Sequence, residues 1–99
     1  MFTSIFRWRV GDALQSLADH AENGLVPVLR ECPGFVAYYV VDAGDGEAVT
    51  ICVFESRETE LASREKALAY ERTREGAAMP ELLEIKAGEI VVSAYRAPD

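Results

Sequence analysis

Between Pro33 and Phe54 the chain carries two apolar runs, Phe35 to Val41 and Ala48 to Phe54, joined by Asp42-Ala43-Gly44-Asp45-Gly46. Runs rich in β-branched and aromatic residues around a short Gly/Asp loop signal a β-hairpin. Neither run alternates between apolar and polar positions. A sheet with one wet face shows that alternation, so both faces of this hairpin require cover. That demand constrains how the rest of the chain can be arranged.

Upstream, Phe2 to Val10 reads as a strand, with Phe2, Ser4, Phe6, Trp8 and Val10 on one face and Thr3, Ile5, Arg7 and Arg9 on the other. Gly11-Asp12 ends it, and Asp12, with Gln15 three residues on, reads as the N-cap of a helix. Leu14, Leu17, Ala18, Ala21, Leu25 and Val28 form its apolar stripe. Pro27 removes a backbone donor, which predicts a kink or break between Asn23 and Pro27. Pro33-Gly34 stops this helix. After the hairpin, Ser56 caps a polar helix over about 57–75 that Gly76 terminates. Its weak stripe, Leu61, Ala62, Leu68 and Ala69, lies almost opposite Ala67 and Tyr70, and periodicity does not choose between them. Met79-Pro80 opens an irregular connection through Leu83, and a last strand runs over 84–95, with Gly88 marking a bulge or a start.

The order strand, helix, strand, strand, helix, strand over residues 1–99 is the split βαβ pattern of one α+β, ferredoxin-like βαββαβ domain. Right-handed crossovers place both helices on one face of a four-stranded antiparallel sheet whose central strands are the first and third. Two helices cover one face only. The apolar hairpin leaves the other face open, and a second copy packed sheet to sheet is the economical cover. The chain is therefore expected to form a homodimer.

A net charge of −7 argues against nucleic acid and anionic membrane surfaces as partners. No run approaches the ~20 apolar residues of a membrane helix, and the start carries no signal-peptide pattern, so a cytoplasmic location is expected. Apolar content of 49% with 27% charged residues is that of an ordinary globular chain rather than a disordered one. With Asp42 facing Glu47, Cys32 and Cys52 fall about 16 Å apart along the strand, which predicts two free thiols.

The phrase Pro33-Gly34-Phe35-Val36-Ala37-Tyr38-Tyr39-Val40-Val41-Asp42, followed by Val53-Phe54-Glu55-Ser56 before a polar helix, resembles the antibiotic biosynthesis monooxygenase family of the dimeric α+β barrel superfamily. The resemblance spans most of the chain in element order and is motif-like from Pro33 to Ser56. It implies a homodimer whose sheets form a barrel, with a pocket between sheet and helices. It further implies a cofactor-independent monooxygenase acting on a small quinol- or anthrone-like compound. The alternative is a non-catalytic dimeric module of the same fold that binds a small molecule or serves in stress. Oxygenase members typically use an Asn and a Trp near or on the helices, and the related haem degraders add a His ligand. Here the only Asn is Asn23 on the first helix, and the only Trp is Trp8 on the first strand. Ser63-Arg64 and Tyr70 stand where relatives carry polar and aromatic pocket residues, and no catalytic residue transfers by position.

With Asp42 opposite Glu47, Phe35, Ala37, Tyr39, Thr50, Cys52 and Phe54 share one face of the hairpin, and Val36, Tyr38, Val40, Val49, Ile51 and Val53 share the other. The first set mixes rings with small or polar residues and leaves room for a cavity. Trp8, Tyr39, Thr50, Cys52, Phe54 and Tyr70 are therefore the candidate lining for an aromatic ligand. The same aromatics also suit an ordinary core. His20, the only histidine, reads as a surface residue on the helix flank, and one His with two distant Cys makes no metal site. Arg7, Arg9, Glu55 and Arg96 read as an ion-pair cluster at the sheet rim, and Glu60 with Arg64 as a solvated helical pair. There is no phosphate loop, nucleophile triad or dinucleotide fingerprint, and no cofactor is expected. Cys52 in mid-strand is expected to be an inert thiol, because burial disfavours the thiolate.

Overall fold

The computed structural model describes residues 1–72 and 80–97. Its strands are β1 (Phe2–Arg9), β2 (Phe35–Gly44), β3 (Glu47–Phe54) and β4 (Glu81–Glu89). They form one antiparallel sheet in the order β2-β3-β1-β4, so the first and third strands are central, as the sequence predicts. The helices are α1 (Leu14–His20), α2 (Val26–Arg30) and α3 (Arg57–Arg72). A 3-10 turn, Gly11–Ala13, leads into α1, and a π turn, Ala21–Leu25, joins α1 to α2. The predicted end of α3 at Glu75 and Gly76, and Met79, lie outside the described residues.

The interruption expected between Asn23 and Pro27 is a change of winding in the first helical stretch rather than an end to it. Its winding opens over Ala21–Leu25, where the Val26 N–H reaches back five residues to the Ala21 carbonyl. Pro27 then falls in the first turn of α2, where its missing donor is not needed. Asp12 is not the N-cap: it lies exposed inside the 3-10 turn, and no side chain caps that turn. Gln15 instead donates to Asp19 one turn on, at 2.9 Å. Ser56 does cap α3. The Thr59 N–H donates to Ser56 Oγ at 3.2 Å, and the Ser56 N–H donates to Thr59 Oγ1 at the same distance. Gly34, at φ 79°, lies against that cap; a Cβ there would come within 2.7–2.8 Å of the Thr59 side chain.

The hairpin closes through Asp45-Gly46, both at positive φ, which is the two-residue turn that Asp-Gly favours. Gly44 therefore faces Glu47, rather than Asp42 doing so. Pairing then shifts twice, between Asp42 and Gly44 and between Phe35 and Ala37. Between these two irregularities Tyr38 faces Cys52 and Val40 faces Thr50. The middle of β2 is thus one residue out of the expected register, and a slip of one turns every side chain to the other face. The bulge at Val36 restores the pairing of Phe35 with Phe54.

Phe2, Ser4, Phe6 and Trp8 share the inner face with Phe54, Cys52, Thr50 and Ala48, their partners on β3. The helices lie over this face. Phe54, with none of its surface exposed, centres the core with Leu29 of α2 and Cys32, and Leu25, Phe35, Tyr38 and Cys52 pack around them. Phe35 meets Phe54 edge to face at 5.6 Å between ring centres. Both cysteines are free thiols. They belong to one apolar cluster, Cys32 within it and Cys52 packed against it.

On the outer face, Ile5, Tyr39 and Val41 are exposed, and Val49, Ile51 and Val53 are half-buried. Arg7 pairs with Glu47 at 2.6 Å and Arg9 with Glu81 at 3.1 Å. These are separate cross-strand pairs, not the expected rim cluster with Glu55 and Arg96. The last strand begins at Glu81, three residues earlier than predicted, and skips Leu83 in a bulge opposite Arg7 and Trp8. Its ladder ends at Glu89, with one further bond from the Ile90 N–H to the Met1 carbonyl. Residues 91–97 continue without regular structure, leaving Val91 89% and Val92 84% exposed.

Candidate active site

The second long helix turns inward the side that its hydrophobicity does not mark. Leu61 and Leu68 are exposed, whereas Glu60 and Ser63 are buried and Arg64 and Ala67 half-buried. Glu60, Ser63, Arg64, Ala67 and Glu71 recur at three- and four-residue intervals, so they form one stripe along α3. Two of the five are small. Where a core helix would place Leu or Ile, Ser63 and Ala67 leave space.

That space is a cavity of about 360 Å³ between α3 and the inner sheet face, in the range of small-molecule sites. Phe6, Trp8, Tyr38, Thr50 and Cys52 face it from the sheet, and Leu25 and Leu29 from the π turn and α2. Leu68, Leu82 and Ile85 also line it while remaining 42–56% exposed, which puts its mouth between α3 and β4. The surroundings are largely hydrocarbon and aromatic ring.

Polar groups are few and mostly paired. Trp8 Nε1–H donates to Thr50 Oγ1 across the β1–β3 pair at 3.0 Å. Arg64 Nε–H donates to Glu60 Oε1 at 2.6 Å, and its guanidinium lies over the Phe6 ring at 5.6 Å. Ser63 Oγ–H donates to the Glu60 carbonyl at 2.6 Å. Glu60 is only 1% exposed, and its second oxygen, Oε2, is buried with no hydrogen-bond partner. It is not the solvated helical residue that its spacing to Arg64 suggested. Burial pushes the Tyr38 hydroxyl up to about 12, so it remains a neutral phenol beside the cavity. Burial also raises the Cys52 thiol to about 12, with Glu60 adding to the rise and Arg64 opposing it. Cys52 is a poor nucleophile in that state.

Of the residues expected to line a site, Trp8, Thr50 and Cys52 border the cavity. Tyr39 does not: the register shift places it on the outer face, 56% exposed, and Tyr38 takes the inner position. Phe54 is sealed in the core rather than facing the space. Tyr70 is not among the lining residues: it is stacked on His20 at 5.5 Å and packed so closely on the π turn that a Cβ at Gly24 would overlap its hydroxyl. His20 is accordingly not a flank surface residue. Its Nε2 is 2.8 Å from Glu71 Oε1, with both side chains largely buried, and Glu71 reaches the cavity wall. Asn23 is exposed, its Nδ2–H donating to the Asp19 carbonyl at 2.9 Å. Sequence reasoning missed Glu60 and Tyr38. The signal for Glu60 was its stripe with two small residues; Tyr38 had none, because the Asp45-Gly46 turn alone would pair Tyr39 with Cys52, and the bulge at Ala43 is what turns Tyr38 inward.

Among the described residues, no group of three or more His, Cys, Asp or Glu side chains is placed to hold a metal ion. His20, committed to Glu71, is not among the lining residues, so this cavity does not fit the His ligation of haem.

No family model matches the sequence, and no curated protein matches it. Solved structures do resemble it. The monooxygenase from the gene ActVA-Orf6 of Streptomyces coelicolor, in complex with nanaomycin D, is similar at 21% identity and a TM-score of 0.64, covering 99% of this chain and 92% of that one. SnoaB, a cofactor-independent oxygenase from Streptomyces nogalater, is similar at 14% identity and a TM-score of 0.71, covering 93% and 94%. The haem-degrading protein Rv3592 from Mycobacterium tuberculosis is similar at 17% identity and a TM-score of 0.66, covering 94% and 96%. The chain has the ferredoxin-like α+β fold of the antibiotic biosynthesis monooxygenase-like proteins.

Proposed function

We propose that the chain is the subunit of a homodimeric, cofactor-independent oxygenase that acts on a small, flat aromatic compound of the quinol or anthrone type. The observation that carries this reading is the 360 Å³ apolar cavity, edged by aromatic rings and by the Glu60–Arg64 pair. An electron-rich ring system supplies its own electrons to O₂, so the protein has only to bind it, orient it and exclude water. In an anthrone, the ring CH₂ becomes C=O; one oxygen atom stays in the product and the other leaves as water with both hydrogens. Arg64 lines the cavity and would stabilise the negative charge that O₂ gains as the ligand reduces it. Trp8, Phe6 and Tyr38 supply faces and edges for the rings. The likeness to SnoaB and the ActVA-Orf6 protein supports this class of reaction without identifying the substrate.

The dimer belongs to the same reading. Ile5, Tyr39 and Val41 give the outer sheet face exposed apolar side chains that a second copy would cover. Solution mass should be twice the 10.9 kDa of the chain, and a monomer at micromolar concentration would contradict it. A cytoplasmic location is part of the same proposal; no described helix is long and apolar enough to cross a membrane.

A second reading is favoured by the pairing of Trp8 with Thr50 and of Arg64 with Glu60, which leaves few groups free for chemistry. On that reading the protein is a dimeric small-molecule-binding or stress-related module without turnover. Oxygen uptake with anthrone and with naphthohydroquinone separates the two. The oxygenase gives uptake above the spontaneous rate that declines in Arg64→Met. Uptake at the blank rate across a panel of such compounds would leave the binding module.

A further inference from the structure

The orphaned oxygen of Glu60 has a consequence for which ligands the cavity accepts. Burying a carboxylate oxygen without a partner is costly, and native proteins rarely tolerate it. Arg64 satisfies only Oε1. The neighbouring hydroxyls are spent elsewhere: Ser63 donates to the Glu60 carbonyl and Thr59 to the Ser56 carbonyl. Glu60 is one of the residues lining the cavity, and it lies close enough to Cys52, across the space on β3, to act on that thiol. With 1% of the residue exposed, the carboxyl group is shut off from bulk solvent.

We infer that Glu60 Oε2 is the acceptor for a hydroxyl on the ligand, which makes Glu60 a specificity-determining residue that selects a hydroxyl-bearing flat aromatic over its alkyl isostere. The inference rests on the aromatic-pocket reading above and adds which end of the ligand is recognised. A ligand O–H placed there donates to Oε2, while Arg64, already held by Oε1, lies beside the same oxygen. An apolar group in that position leaves Oε2 unpaired and gains nothing from Arg64. Sites built to pair a substrate hydroxyl reject the analogue that lacks it, because their own buried polar group is then left unsatisfied. The remaining wall of Phe6, Trp8, Leu25 and Leu29 makes no such distinction.

Equilibrium dialysis of the full chain against 1-naphthol and 1-methylnaphthalene tests this, since the two probes differ by OH in place of CH₃. The wild type should bind 1-naphthol about tenfold or more tightly than 1-methylnaphthalene, the size of a hydrogen bond to a charged acceptor. Glu60→Met should remove the preference by weakening 1-naphthol alone, and Glu60→Gln should leave a smaller one. Circular dichroism melts establish that each variant is folded; if Glu60→Met is not, the Glu60→Gln comparison decides. A preference that survives unchanged in the folded variants overturns the role of Glu60 while leaving the pocket reading intact. Failure of the wild type to bind either probe overturns both.

Discussion

The two helical layers over the sheet follow opposite rules. The stretch through α1, the π turn and α2 turns Ala21 and Leu29 inward and leaves Asp12, Glu22 and Arg30 outside. Its inner side is its apolar side, and it holds the core around Phe54. Helix α3 does the reverse, burying Glu60 and Ser63 while Leu61 faces outward and Leu68 stays exposed at the cavity mouth. A helix that buries its polar stripe is not optimised for packing. The first stretch builds the domain, and α3 builds the wall of a cavity.

If that division holds, the largest effect of substitution belongs to the first stretch. Leu29→Ala removes a buried side chain from the centre of the core and should cost about 2–5 kcal/mol in urea unfolding. A loss below 1 kcal/mol would mean that the core lies elsewhere. Alkali should give the next effect, because Tyr38 and Cys52 are both held protonated in the fold, up to about 12, from ordinary values of 10.0 and 9.0. The folded state retains protons that the unfolded chain releases, so these groups hold stability level below pH 9 and it declines as pH rises from about 9 to about 12. Urea midpoints across that range measure the slope, and Cys52→Ala should make it shallower. Loss of the α3 cap in Ser56→Ala should cost about 1 kcal/mol, read in the same way. Leu61→Gln should change stability by less than about 0.5 kcal/mol despite removing a leucine from the apparent apolar stripe. A cost of 2 kcal/mol there would restore α3 to an ordinary packing role.

The element order and the antiparallel sheet with β1 and β3 central were legible in the sequence. Each follows from periodicity and turn residues acting over a few positions. The register of β2 was not, because two extra residues on β2, Ala43 and Val36, each shift the pairing by one in the same direction between the turn and Phe35. Tyr39 and Tyr38 exchanged faces as a result. The buried side of α3 was illegible for a different reason. Hydrophobic patterning finds the face that packs, and this helix encloses a space with Glu60, Ser63 and Ala67 instead. Trp8, Thr50 and Cys52 could be found because β1 and β3 are regular strands whose alternation survives intact.

The central claim is that the polar side of α3 is a ligand-facing wall. Amide chemical shifts of the ¹⁵N-labelled protein titrated with 1-naphthol test it most directly. Shifts should concentrate at Glu60, Ser63, Arg64 and Ala67 on α3 and at Trp8, Thr50 and Cys52 on the sheet, with Leu61, Tyr39 and Val41 unmoved. Shifts confined to Tyr39 and Val41 on the outer face, or none at saturating probe, would contradict it.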